Sequence, residues 1–344
     1  MSVLSAGTDP ALLRERWLAA LEELFPVPEG YREEVVDRRG ALDILRCGDG
    51  LLEELVAAGL PCSGPSGAEW FDRYDLFNLA LHSGSGASAP ETGIRFALRW
   101  MGRDPSTWFD ERHWDLSVAL SCPLPDGCPA GKGDAEEPSW RAALPLPEAF
   151  GGRLLELEPP QDGQDALRGS GPDGFTMTAR VATRGERREL RSPVLRDIVG
   201  EYDRSRWVKL PVELQARPEL VLPHGVAPCI SVSLDLAARC RDAGFEARTR
   251  RGWILGMLDL AHSWLEVVDS DGRVKAVDPV FGLLSGHADA PHPDFRRACS
   301  GSFFNRLLPS SHEADQPLFR HRCGGAEHAP ATRTTVRTAP REGA

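Results

Sequence analysis

Several things are missing from this 344-residue sequence, and each closes off a class of protein. No stretch approaches the roughly 20 consecutive apolar residues a membrane-spanning helix needs. The N-terminus lacks the basic-then-apolar layout of a secretory signal, so no membrane partner and a cytoplasmic location are expected. No CxxC pair occurs, and Cys122 and Cys128 stand too far apart for the usual zinc knuckle, so no structural metal is expected. No loop has carboxylates spaced for calcium. Neither glycine run, around 63–67 or 83–86, has the strand-to-helix context and lysine of a phosphate loop, so no nucleotide and no cofactor are expected. Positive charge is short as well. Forty Lys and Arg face 51 Asp and Glu, a net charge of −11, which argues against a nucleic-acid partner.

What remains fits an enzyme-sized globular protein, with 41% hydrophobic residues and length enough for two ordinary domains. The eight cysteines are scattered rather than arranged as a small disulfide framework, so most are expected to be reduced and one chemically used. Residues 9–25 place Leu12, Leu13, Trp17, Leu21 and Leu24 on one helical face, with Asp9 as N-cap and Pro10 at the first helical position. Ser88 and Glu91 have capping-box spacing. These features predict an α-rich N-terminal domain over 1–122. Pro, Gly and Asp punctuate 123–173, which reads as a linker. Phe175, Met177, Ala179 and Val181 alternate with neighbours as a strand does, and Ser192 with Pro193 opens a helix carrying Leu195, Ile198 and Val199. A second domain is expected over 174–310. The segment 311–344, with almost no large apolar residue after Gly325, reads as a flexible tail.

The second domain holds the chemistry. From Pro228 the order is helix, strand, strand, strand, with Gly244 supplying a left-handed stop after the helix. Cys229 falls in the first helical turn, where unpaired N–H groups and the positive end of the helix dipole favour a thiolate. A buried structural thiol is the bland alternative. His262 lies 33 residues after Cys229, in HSWLEVVD, where Leu265 and Val267 face one side and His262, Trp264 and Glu266 the other. Asp278 follows 16 residues later at the end of the next strand, just before Pro279. Neighbouring antiparallel strands can set His262 beside Asp278, though an Asp before Pro also serves simply to cap a turn. The RTRR run at 248–251 is either solvated charge on an outer strand or a landing site for an acidic carrier protein. Asp72, Asp75 and His82 read as parts of a turn joining packed helices.

Cysteine at a helix start, then AGFEARTRRGW, HSWLEV and VDPV, resembles the core of the transglutaminase-like superfamily over about residues 195–283. The resemblance implies an α+β fold, in which a nucleophile helix packs on an antiparallel sheet as in papain-like enzymes. It implies a Cys229, His262, Asp278 catalytic triad and an acyl-enzyme thioester. It also implies that the oxyanion is met by the Cys229 backbone N–H and one upstream donor, with Gln215, His224 and Trp207 as candidates and Trp264 as a further substrate contact. The expected activity is amide-forming acyl transfer in bacterial specialised metabolism, from a small-molecule or carrier-bound acyl donor to an amine. A thiol amidase or peptidase, or an inert binding module, are the alternatives.

Overall fold

The computed structural model describes residues 9–128, 137–160, 166–256 and 261–340. Asp9 accepts from the Ala11 N–H at 3.0 Å and Pro10 opens the helix Pro10–Glu22, whose Trp17 and Ala20 turn inward. Helices Arg38–Leu45, Asp49–Ala57 and Arg73–His82 share a core with it, built on Leu45, Leu52, Leu55, Phe71, Leu76 and Leu79. In the helix Ala89–Leu98 the capping box is complete: Ser88 Oγ accepts from the Glu91 N–H, and the Glu91 carboxylate accepts from the Ser88 N–H at 3.1 Å. Asp72 serves as the N-cap of Arg73–His82, accepting from the N–H groups of Tyr74 and Asp75. The structural reading of that aspartate is therefore sufficient.

The helical character ends earlier than expected. Arg112–Ser121 is already a strand, and it pairs over nine residues with Phe175–Thr183, which in turn pairs with Arg153–Glu158. A second sheet orders Ala326–His328, Phe319–Cys323, Ser139–Ala143 and Ala166–Ser170. Leu116, Val118, Met177 and Val181 of the first sheet meet Trp140, Ala142 and Leu167 of the second in one core, giving a β-sandwich. Two expectations are corrected here. The supposed linker carries three strands, short ones that pair with strands not adjacent to them in sequence, so that composition alone hid them. The supposed tail carries three more, and Ala331–Ala339 runs antiparallel to Arg112–Ser121 in unbroken register. That strand lies at a sheet edge, so its backbone ladder and β-branched Thr and Val side chains hold it with little burial.

Between the sandwich and the helical core lies a five-stranded antiparallel sheet, in the order Ser300–Gly301, Val274–Val277, Ala261–Val268, Ala247–Ile254, Leu307–Pro309. The fold is thus mixed α and β with several antiparallel sheets. Trp253, Leu255 and Leu308 of this sheet enter the sandwich core, while Leu265, Val267, Ala276 and Val277 enter the core shared with the helix Cys229–Asp242. Both faces are covered, so the face carrying His262, Trp264 and Glu266 is not a solvent face as the alternation suggested: all three are buried. The N-terminal unit docks on the segment leading to Cys229. Asn78 Nδ2 donates to the Lys209 carbonyl and its Oδ1 accepts from the Lys209 N–H, each at 2.8 Å. Val27 packs with Leu214, Val221 and Val226. Among the described residues no helix is long and apolar enough to cross a membrane.

Candidate active site

Pro228, with an extended backbone, is the N-cap of the helix Cys229–Asp242, and Cys229 is its first residue. A first-turn N–H has no intrahelical carbonyl to bond, so the thiol sits where the chain offers its positive end. The preceding segment is fastened to this helix: Ser231 Oγ donates to the Gln215 carbonyl at 2.6 Å. Gly244, at φ +85°, closes the helix and turns the chain into the strand Ala247–Ile254.

The following hairpin builds the rest. Gly252 pairs with His262 across it. A side chain at Gly252 would meet the Leu308 carbonyl oxygen at 2.2 Å and the Trp264 ring at 2.9 Å, so only glycine lets the third strand and Trp264 close in below the imidazole. His262 Nε2 lies 2.6 Å from Asp278 Oδ2, and both side chains are buried. With Nε2 engaged, Nδ1 is the ring nitrogen left for the sulfur. Asp278 does a second job as N-cap of the helix Pro279–Leu284, its Oδ1 accepting from the Phe281 N–H at 2.8 Å. The two readings weighed for this residue therefore coexist. Phe281 and Trp264 flank the imidazole, with ring centroids 5.9 and 6.2 Å away.

Burial opposes charge at both His262 and Cys229, and their neighbours overcome it. At His262 desolvation favours the neutral ring, but the Asp278 carboxylate and the Cys229 sulfur together raise its pKa to about 10. At Cys229 burial pushes the thiol up, whereas the His262 hydrogen bond and charge, the Arg251 cation and the Ser263 backbone N–H bring it below the ordinary thiol value. The surroundings thus favour the charged form of each, a thiolate at Cys229 and an imidazolium at His262. Cys229 is half-buried as a residue, and His262 and Asp278 are buried.

Arg251 is the functional candidate that the sequence reading missed. The RTRR run divides: Arg248 is exposed, as the solvated reading expects, whereas Arg250 and Arg251 are buried. Arg250 is buried on Glu266 with two contacts of 2.9 Å, and Arg248 joins the same carboxylate at 2.7 Å. Arg251, also buried, donates to Ser263 Oγ at 2.9 Å and reaches the Cys229 sulfur. The available signal was register: Arg251 stands opposite Ser263, the residue after the histidine. Replacing it by methionine, which keeps length but removes charge, is expected to slow iodoacetamide alkylation of Cys229 at pH 7 roughly tenfold. Arg251→Lys should recover part of that rate; equal rates in all three proteins would remove Arg251 from the site.

The four donor and substrate candidates part company. Gln215 contacts the sulfur, with Oε1 3.8 Å from Sγ, while its Nε2 donates to the Leu210 carbonyl at 2.7 Å. Trp264 lies beneath the imidazole, buried. Trp207 is turned to Phe77 and His287, and its carbonyl bonds the His82 ring. His224 is exposed and packs on Phe25 of the N-terminal unit.

A scan against protein-family models gave no match, and neither did a search of curated proteins. Among solved structures, a candidate cysteine protease from Cytophaga hutchinsonii is similar over 68% of this chain and 92% of its own, at 11% identity and a TM-score of 0.40.

Proposed function

We propose that this chain is a transglutaminase-like cysteine acyltransferase, joining an activated acyl group to an amine through a thioester on Cys229. The observation that carries this reading is the buried 2.6 Å contact between His262 and Asp278 beside a cysteine at a helix N-terminus. The thiolate of Cys229 attacks the acyl carbonyl, and the C=O pair moves onto oxygen. That oxyanion is met by the Cys229 backbone N–H, with the second Gln215 Nε2 hydrogen as partner. The carbonyl re-forms as the leaving group departs, taking the His262 proton when it leaves as an amine or thiol. The acyl-enzyme then accepts an amine whose proton passes to His262, and the amide is released as the thiolate returns.

Transfer rather than hydrolysis is favoured by the N-terminal unit. It braces the segment from Lys209 to Val226 that leads into the nucleophile helix, a setting suited to shaping a pocket that holds an amine and limits water. The donor is a small-molecule or carrier-bound acyl group, as in bacterial specialised-metabolite assembly. The test is product analysis: incubation with a simple acyl thioester should add one acyl group to the protein, and an added amine should divert it to amide. Free acid alone, across a panel of amines, would make the protein a thiol amidase or peptidase. No adduct at all would make it an inert module.

A further inference from the structure

Away from Cys229, four side chains with metal-binding atoms converge from three parts of the chain. Cys122 directly follows the strand Arg112–Ser121. Cys128 comes after a turn in which the Gly127 N–H donates to the Leu124 carbonyl at 3.0 Å, doubling the chain back. His321 and Cys323 stand two residues apart, and so on one face, in the strand Phe319–Cys323. One ligand atom from each of the four lies within 4.8 Å of the others.

The spacings match one ion. Cys122 Sγ and Cys323 Sγ are 3.9 Å apart, and Cys128 Sγ is 3.4 Å from His321 Nε2. A tetrahedral zinc with Zn–S of about 2.3 Å and Zn–N of about 2.0 Å requires S···S of about 3.8 Å and S···N of about 3.5 Å. The histidine is also prepared for the task. Its Nδ1 lies 3.1 Å from the Ser139 carbonyl, which can only accept; the ring proton therefore sits on Nδ1 and the Nε2 lone pair points at the cysteines. Trp140 stacks on the ring at 3.6 Å and fixes its plane. His321 and Cys323 are buried, whereas Cys122 and Cys128 are half-buried.

We propose that Cys122, Cys128, His321 and Cys323 form a structural zinc site that clips the two sheets of the sandwich together. Three thiolates and an imidazole are a soft donor set that selects zinc over magnesium or calcium. Four protein ligands close the coordination shell, so the role is structural and no position is left for substrate. Loading replaces three thiol protons by one divalent ion with no redox change, and the binding free energy adds to that of folding. Cys122 extends a strand of one sheet while His321 and Cys323 belong to the other, so the ion bonds two layers otherwise joined by apolar contact. Spacing along the chain hid this site, since Cys128 and His321 are 193 residues apart.

The test is metal analysis of the full chain purified under reducing conditions. One zinc per chain is expected, retained by Cys229→Ala and lost by Cys128→Ser. Removing the metal from the wild type should lower the unfolding midpoint by several degrees. Cobalt(II) put in its place should give the intense d–d bands and thiolate charge-transfer absorption of a tetrahedral sulfur-rich site, a readout that does not depend on any variant folding. The assignment is overturned if the wild type holds no zinc even after reconstitution with zinc(II), or if Cys122 and Cys323 are recovered as a disulfide in protein that has never bound metal. Zinc kept by Cys128→Ser but lost by Cys229→Ala would overturn it equally.

Discussion

Cys229→Ala should bring turnover to background and abolish the acyl adduct, while leaving the fold intact. The expected loss is on the order of 10⁶ in kcat, the scale seen when a nucleophile of a hydrolytic triad is removed. The argument is local. His262, Arg251 and the Ser263 N–H each favour charge on the sulfur besides their other contacts, and alanine offers them nothing to stabilise. Structure should survive because the substitution removes one sulfur from a half-buried residue in the first turn of a helix whose Ile230, Val232, Leu236 and Ala237 supply the packing. An unfolding midpoint near wild type should accompany the lost activity. Cys229→Ser should be nearly as inactive, since a hydroxyl cannot be held as an anion by the same neighbours. A Cys229→Ala protein that still forms the acyl adduct would move the chemistry to another residue.

How far the sequence could be read depended on how far apart the cooperating residues lie. The helix that begins at Cys229, its left-handed stop at Gly244 and the hairpin bearing His262 are local patterns, and each is legible because capping, glycine and alternation act within a few residues. The sandwich was not. Its strands at 112–121, 175–183 and 331–339 pair across gaps that no periodicity spans, and the segments joining them resemble a linker by composition. The strand Ala331–Ala339 is hidden for a related reason: its composition promises little burial, yet an edge strand can be held by its ladder. Arg251 was hidden because charge in a strand is ordinarily solvated. Only the pairing of Arg251 with Ser263 and the arrival of Cys229 from another element give its guanidinium a buried partner. The four metal-binding residues were invisible for the same reason, being near neighbours only in the fold.

Asp278→Asn separates the two duties of that side chain. As N-cap, asparagine is about as good as aspartate, so the Phe281 N–H keeps an acceptor and the helix Pro279–Leu284 should keep its start. As partner of His262 it is a poor substitute, because an amide carries no charge and can present its NH₂ group to Nε2. The sign of the effect follows. Desolvation pulls the His262 pKa down, and the Asp278 charge is the foremost of the groups that lift it to about 10. Without that charge the ring should lose its proton at a much lower pH, and the Cys229 thiolate, which leans on the imidazolium, should form only at a higher one. In the wild type, alkylation of Cys229 should set in below the ordinary thiol range, and acyl transfer should decline as pH rises towards 10. In Asp278→Asn the alkylation profile should move up towards an ordinary thiol. Turnover at pH 7 should fall by on the order of 10³ to 10⁴, with the unfolding midpoint little changed. Asp278→Ala should lose activity as severely and also about 1 kcal/mol of stability, since it removes the cap as well. An unaltered alkylation profile in Asp278→Asn would reduce Asp278 to the helix cap and leave His262 without an electrostatic partner.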